Sequence, residues 1–354
     1  MSPYHYNSVK FTCLLMAISF AFQVMPVSAH NKVVVIPMFS DSTELPKNVV
    51  TVGKQGADFS DPITAIESIL DASAEKRYRV SINPGDYELS NPLRMKEYVD
   101  VVGGVGHVTV KLIGEFGGSE VANSAAVIGA SNATLYNIAI ENRGLPGLPF
   151  STGIYNDKNL SDYSNLRVTV SGGSTTTYGI YNTSGSPHFS NMSIVVTGQQ
   201  NGVGMMNNYA AVLLDRVSVI VYDAALSNIG FNNVGFMSLP NIGMLRTDAF
   251  VSGGLTAIGI ENTQAGTSVM GGVVDVQGAT TNYGVVNHSG SIFTGSHHLI
   301  NGVTSSFHAE TGSRAYFIGS ELTNGVTGDG DYRCFESLMV ITPLKEDCTV
   351  DSAN

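Results

Sequence analysis

Few side chains in this sequence stand at spacings that carry chemistry. The densest charged group is Asp215-Arg216, with Asp223 shortly after. A carboxylate beside a guanidinium suits acid–base work or contact with an acidic sugar, and equally a solvated ion pair at a strand end. Arg167, Arg246 and Arg314 are further candidates for contact with a sugar acid. Hydrolysis by two carboxyl groups needs them about 5–10 Å apart, and a calcium site needs several acids; the acids of the central region are thinly spread. Among eight histidines, His297-His298 are adjacent and His188, His288 and His308 stand alone, without zinc-ligand spacing. His288 and His308 precede the related turns Ser289-Gly290-Ser291 and Thr311-Gly312-Ser313, and are read as turn residues. No metal or cofactor is expected. Tyr155 and Tyr181 offer a flat apolar face and a hydroxyl, a combination suited to stacking on sugar rings.

These residues are positioned by a repeat. The tetrapeptide Gly-apolar-x-Asn returns six times, from Gly153-Ile154-Tyr155-Asn156 through glycines 179, 204, 230, 259 and 284, at spacings of 26, 25, 26, 29 and 25 residues. A second track runs out of phase through Asn137, Asn165, Asn191 and Asp215, each followed by alternating apolar residues. A fixed period in this range signals a solenoid. Around each glycine the alternation has period two, the pattern of a strand with one face buried. The same count places Gly and Gly+2 outside and Gly+1 inside. The segments between turns are too short for helical repeats, and a leucine ladder is missing. Stacked β coils remain, so the predicted class is all-β, a single right-handed parallel β-helix of about 25-residue coils with an N-terminal capping helix.

In such a stack, Asn156, Asn182, Asn207, Asn233, Asn262 and Asn287 recur at one interior corner. There each buried amide can pair with the next one along, as an asparagine ladder. The six glycines would form an exposed strip of backbone about 25 Å long, a surface for an extended glycan or another subunit.

The ends read differently. Residues 1–29 resemble a signal peptide: one positive charge in Met1–Lys10, an apolar run from Phe11 to Met25, and Val27-Ser28-Ala29 as a cleavage site. Fifteen apolar residues are too few to span a bilayer, which needs about twenty. Residues 30–60 are an extension, 61–327 the β-helix with its capping helix, and 328–354 a tail closed by Cys334 and Cys348. A disulfide between them would contribute ~3 kcal/mol. The capping helix is expected over 61–74, with Asp61 as N-cap, Pro62 at its first position and Ile63, Ile66, Ile69 and Leu70 as its apolar stripe. The net charge of −11 and the lack of a basic run argue against a nucleic-acid partner. The expected location is extracellular, periplasmic or cell-surface. Five Asn-x-Ser/Thr sequons begin at Asn132, Asn159, Asn182, Asn191 and Asn287.

From Phe59 to Gly106 the chain resembles the opening of the pectin-lyase-like superfamily. The 61–74 helix, Pro84-Gly85-Asp86-Tyr87 and Val101-Val102-Gly103-Gly104 match its cap, turn and Gly-rich strand. Gly85-Asp86-Tyr87-Glu88 is similar to the start of pectin methylesterases. The resemblance implies the handedness and the cap. The Gln-Asp-Thr and Asp-Phe-Ile-Phe-Gly segments of those esterases, and the Asn-Thr-Asp and Gly-His-Gly segments of polygalacturonases, are absent. The preferred functional expectation is a secreted, non-catalytic scaffold that is adhesin-like or glycan-binding. A divergent polysaccharide lyase, esterase or hydrolase and a structural assembly subunit are the alternatives.

Overall fold

The computed structural model describes residues 48–104, 109–235, 240–337 and 340–343. The chain winds as a right-handed parallel β-helix whose coils carry three parallel stacks. One stack is the ten-stranded sheet that holds every Gly-apolar-x-Asn strand, from Leu93–Arg94 to Val326–Gly328. The other two are joined wherever a strand runs unbroken past the corner, as in His188–Thr197 and Val212–Tyr222.

Inward residues stack on their own counterparts. Ile154, Ile180, Met205, Phe231, Ile260, Val285 and Phe307 follow one another in register, each at most 1% exposed. Burial of each such side chain is worth about 1.5–3 kcal/mol. Two residues on lies the corner column of amides. Asn156 Nδ2 donates to Asn182 Oδ1 at 2.7 Å, and the chain continues through Asn207, Asn233 and Asn262 to Asn287 at 2.8–2.9 Å. Its top donor, Asn287 Nδ2, is satisfied by the Arg314 carbonyl at 3.0 Å. At the bottom, Asn156 Oδ1 accepts from the Tyr163 hydroxyl and from Asn159 Nδ2 at 3.3 Å. Gly129 leaves room for that arrangement, since a side chain there would strike all three groups.

The glycines depart from the expectation. They face inward, not outward. A β-carbon at Gly153 would lie 2.5 Å from Val168 Cγ1, 2.8 Å from Val170 Cγ2 and 2.5 Å from the Gly179 carbonyl. Gly179, Gly204, Gly259 and Gly284 meet β-branched side chains of the facing sheet in the same way. Gly and Gly+1 both point to the core, so the strand bends there and strict alternation fails. The glycines are short because valines and isoleucines occupy their space. The expected exposed strip of glycine backbone is therefore not formed.

The cap is also shorter than expected. The helix spans Pro62–Ser68, and Asp61 accepts from Thr64 N at 2.8 Å as its N-cap. Ile66 and Ile69 are buried, but Leu70 is 89% exposed. Ile69 already has extended backbone at the C-cap, which turns the next side chain away from the core. The leader, the cleavage site and Cys348 lie outside the described residues, and with Cys348 the expected disulfide; Cys334 is buried in the strand Asp331–Ser337.

Candidate functional site

Because Gly and Gly+1 both point inward, the residues at Gly−1 and Gly+2 stand side by side on the outer face of the ten-stranded sheet. Tyr155 and Tyr181, in register one coil apart, stack with ring centroids at 5.9 Å and planes at 22°. Tyr178, at Gly−1, meets Tyr181 edge-on at 5.1 Å and 89°, and Phe150 lies 6.4 Å from Tyr178. Tyr178 therefore belongs with the two predicted tyrosines; its place at Gly−1 becomes outward only once the bend is known. Half-burial raises the pKa of all three tyrosines, so their hydroxyls remain donors. Asn208 Nδ2 points at the Tyr181 hydroxyl at 3.5 Å. Val203, Met206, Ile229 and Asn232 continue the two columns upward.

Higher on the same face stands a cluster that sequence reading missed. His288 Nε2 donates to Glu261 Oε1 at 3.0 Å and Nδ1 to Glu310 Oε1 at 2.9 Å. Asn232 Nδ2 supports Glu261 at 2.8 Å, and Ser289 N supports Glu310 at 3.2 Å. The Glu261 hydrogen bond, with Glu310 behind it, pushes the His288 pKa up to about 9 against the opposing effect of burial. The ring is thus an imidazolium at neutral pH. It holds the Glu310 carboxyl below the usual carboxylate range. A general acid for glycosidic cleavage requires the reverse, a carboxyl whose pKa is raised. The geometry is that of an ionic clip tying three successive coils. His308, one coil above Val286, packs on Tyr283 at 5.1 Å and contacts Thr327 at 2.9 Å.

The predicted Asp215-Arg216 group sits on a different edge, the corner between the other two stacks. There Asn137, Asn165, Asn191, Arg216 and Arg246 all have left-handed backbone. Register places Arg216, not Asp215, opposite Asn191. Asn165 Nδ2 donates to Asn137 Oδ1 at 2.6 Å and Asn191 Nδ2 to Asn165 Oδ1 at 3.0 Å, an exposed second ladder. Above it, Arg216 and Arg246 both reach Asp215, at 3.1 and 2.8 Å. Arg167 lines a shallow groove of about 490 Å³ along the asparagines. Asp223 is not part of this group. It lies just past the far end of the strand Val212–Tyr222, seven residues or about 23 Å on from Arg216. Arg314 belongs neither to the tyrosine array nor to the Asp215 corner; it is in register with Asp331 near the C-terminal coils, and its carbonyl accepts from Asn287.

One buried polar residue stands apart. His298 is 2% exposed, its ring nitrogens have no partner beyond the nearby Thr247 backbone, and burial pushes its pKa down to about 4. Among the described residues no group of three or more His, Cys, Asp or Glu is arranged to hold a metal, and no helix is long and apolar enough to cross a membrane.

No protein-family model and no curated protein sequence matches the chain. Among solved structures it is similar to a pectin methylesterase from carrot, at 13% identity over 85% of this chain and 91% of that one, with a TM-score of 0.47. A pectin methylesterase from Aspergillus niger gives 13% identity, 82% and 87% coverage and a TM-score of 0.46. A tailspike of an Acinetobacter baumannii bacteriophage, a capsular polysaccharide depolymerase, gives 11% identity, 85% and 65% coverage and a TM-score of 0.45. At these identities the likeness is one of fold, the parallel β-helix already evident from the strand pairing.

Proposed function

We propose that this β-helix is a secreted scaffold that docks an extended glycan along the outer face of its ten-stranded sheet. The observation that carries the reading is the tyrosine array. Tyr155 and Tyr181 form a stacked pair one coil apart, and Tyr178 braces it edge-on. A flat aromatic surface with hydroxyl donors at its rim matches a sugar ring, which has an apolar face and a polar edge. The parallel stack keeps the platform rigid, so little side-chain entropy is lost on binding. The acid–imidazole group of Glu261, His288 and Glu310 on this face is occupied with itself, which favours holding a ligand over turning it over.

The test is affinity electrophoresis and calorimetry of the purified protein on a panel of polysaccharides, alongside assays for reducing ends, unsaturated products and methanol. Binding that drops by about tenfold in Tyr155→Ala with Tyr181→Ala, without product release, supports the proposal. Unchanged binding in that double variant, or turnover of any polysaccharide, refutes it.

A further inference from the structure

The docking track carries no charge over most of its length, and from this we infer that its occupant is an uncharged glycan, with acidic chains selected against. The inference rests on the docking reading above and adds the substrate class. Going up the Gly+2 column, Arg94 lies two coils below Tyr155 and Glu261 four coils above it. From Tyr155 up to Glu261 the two outward columns present Tyr155, Tyr178, Tyr181, Met206 and Ile229, none of them charged, while Thr152 and Val203 are buried. The remaining member, Asn232, has its amide donor committed to Glu261 at 2.8 Å. From Tyr155 to Glu261 this track is about 19 Å long. At its edge, Asp157 and Lys158 are adjacent and opposite in charge, so they add no net cation. Glu261 closes the upper end with a carboxylate.

A polyuronate brings one carboxylate per ring. Laid on this track, those carboxylates would lose water against tyrosine rings and aliphatic side chains and gain no cationic partner, a heavy cost for each ion. The last of them would meet Glu261. A neutral chain offers the same ring faces without that cost. The arginines that would suit an acidic chain stand elsewhere, Arg216 and Arg246 on the corner between the other two stacks, and both are already turned to Asp215. The absence of cations along the aromatic track, among the described residues, thus acts as discrimination against acidic polymers, independent of how well any one sugar fits.

The experiment compares neutral chains (β-glucan, galactan, mannan, xylan) with polygalacturonate and alginate on the full-length protein, the Tyr155→Ala/Tyr181→Ala variant and Met206→Lys. Met206→Lys places one cation in the middle of the track. We expect at least one neutral chain to bind through the tyrosines and both acidic chains to bind at least tenfold more weakly, with Met206→Lys narrowing the gap. If an acidic chain binds as tightly and loses affinity in the tyrosine variant, docking stands and the charge inference falls. If an acidic chain binds equally in the tyrosine variant, it uses another surface, and the preference is then judged on the neutral chains alone: loss of their binding in that variant upholds it, retention overturns it. If no chain binds, the docking reading fails and takes this inference with it.

Discussion

Replacing Gly204 by alanine decides which way the glycine column points. An exposed strand glycine gains from a β-carbon, by roughly 0.5–1 kcal/mol, because the unfolded chain is less free. Here the added carbon points at Val219 Cγ1 and lies 2.6 Å from the Gly230 carbonyl. Overpacking of this kind costs about 1–3 kcal/mol. Gly230 supplies the internal control. Its β-carbon would meet the Gly259 carbonyl at 2.5 Å, nearly the same backbone contact, but the facing residue is Ala249, at 3.1 Å. The difference between Gly204→Ala and Gly230→Ala therefore isolates the valine methyl, and Gly204→Ala is expected to cost about 1 kcal/mol more. Adding Val219→Ala to Gly204→Ala should recover part of the loss in a double-mutant cycle, because the carbonyl contact remains. Equilibrium denaturant unfolding, with midpoint and slope compared across the native protein, the single variants Gly204→Ala, Gly230→Ala and Val219→Ala, and the double variant, measures these terms. A neutral or stabilised Gly204→Ala, or equal costs at Gly204 and Gly230, would refute the inward packing.

Other consequences can be tested beside it. His298 is held neutral by burial, with its pKa down to about 4, so between about pH 6.5 and 4 the unfolded chain binds more protons than the native one. Stability should fall across that window by up to roughly 3 kcal/mol, and His298→Leu should flatten the pH dependence of the unfolding midpoint. His288 is shifted the opposite way, so its contribution is complete below about pH 6.5 and lost as pH rises through about 9; solvent screening keeps it under roughly 1 kcal/mol, and His288→Gln should remove the alkaline decline. Asn207→Ala breaks the hydrogen bonds to Asn182 and Asn233 at once and strands two buried groups, for a loss of about 2–4 kcal/mol in chemical denaturation. Sequons at Asn182 and Asn287 belong to the buried ladder, while Asn132 and Asn191 are exposed. In a eukaryotic secretory host, glycans added to Asn182 or Asn287 before folding should block the ladder, and Ser184→Ala with Ser289→Ala should raise the secreted yield; an unchanged yield with both sites occupied would contradict this.

The period, the parallel stacking and the six ladder positions could be read from the residues alone. A stacked coil pairs each side chain with its own counterpart, so the tertiary contact repeats in the sequence as a column. Asn156 meets Asn182 because both are third after a glycine, and no knowledge of the rest of the fold is needed. What the columns do not encode is where a strand bends. Counting by twos from Ile154 sends Gly153 outward, whereas the bend turns both inward, because Val168 and Val170 of a different stack need the space. The same bend brings Tyr178 beside Tyr181, a neighbour that alternation alone does not supply. Glu261 and His288, 27 residues apart, occupy different coil positions, so no repeat announces their meeting; His288 and Glu310, 22 residues apart, share a position, but in a coil where Ser306 and Ala309 replace the Gly and Asn that mark the repeat. Arg216 in place of Asp215 at the corner is likewise a one-residue matter of register. Sequence determined the unit that stacks, since each unit buries its apolar column only against copies of itself. Tertiary structure decided which faces those units turn to one another and to solvent, since that depends on the volume and register of side chains one coil or one sheet away.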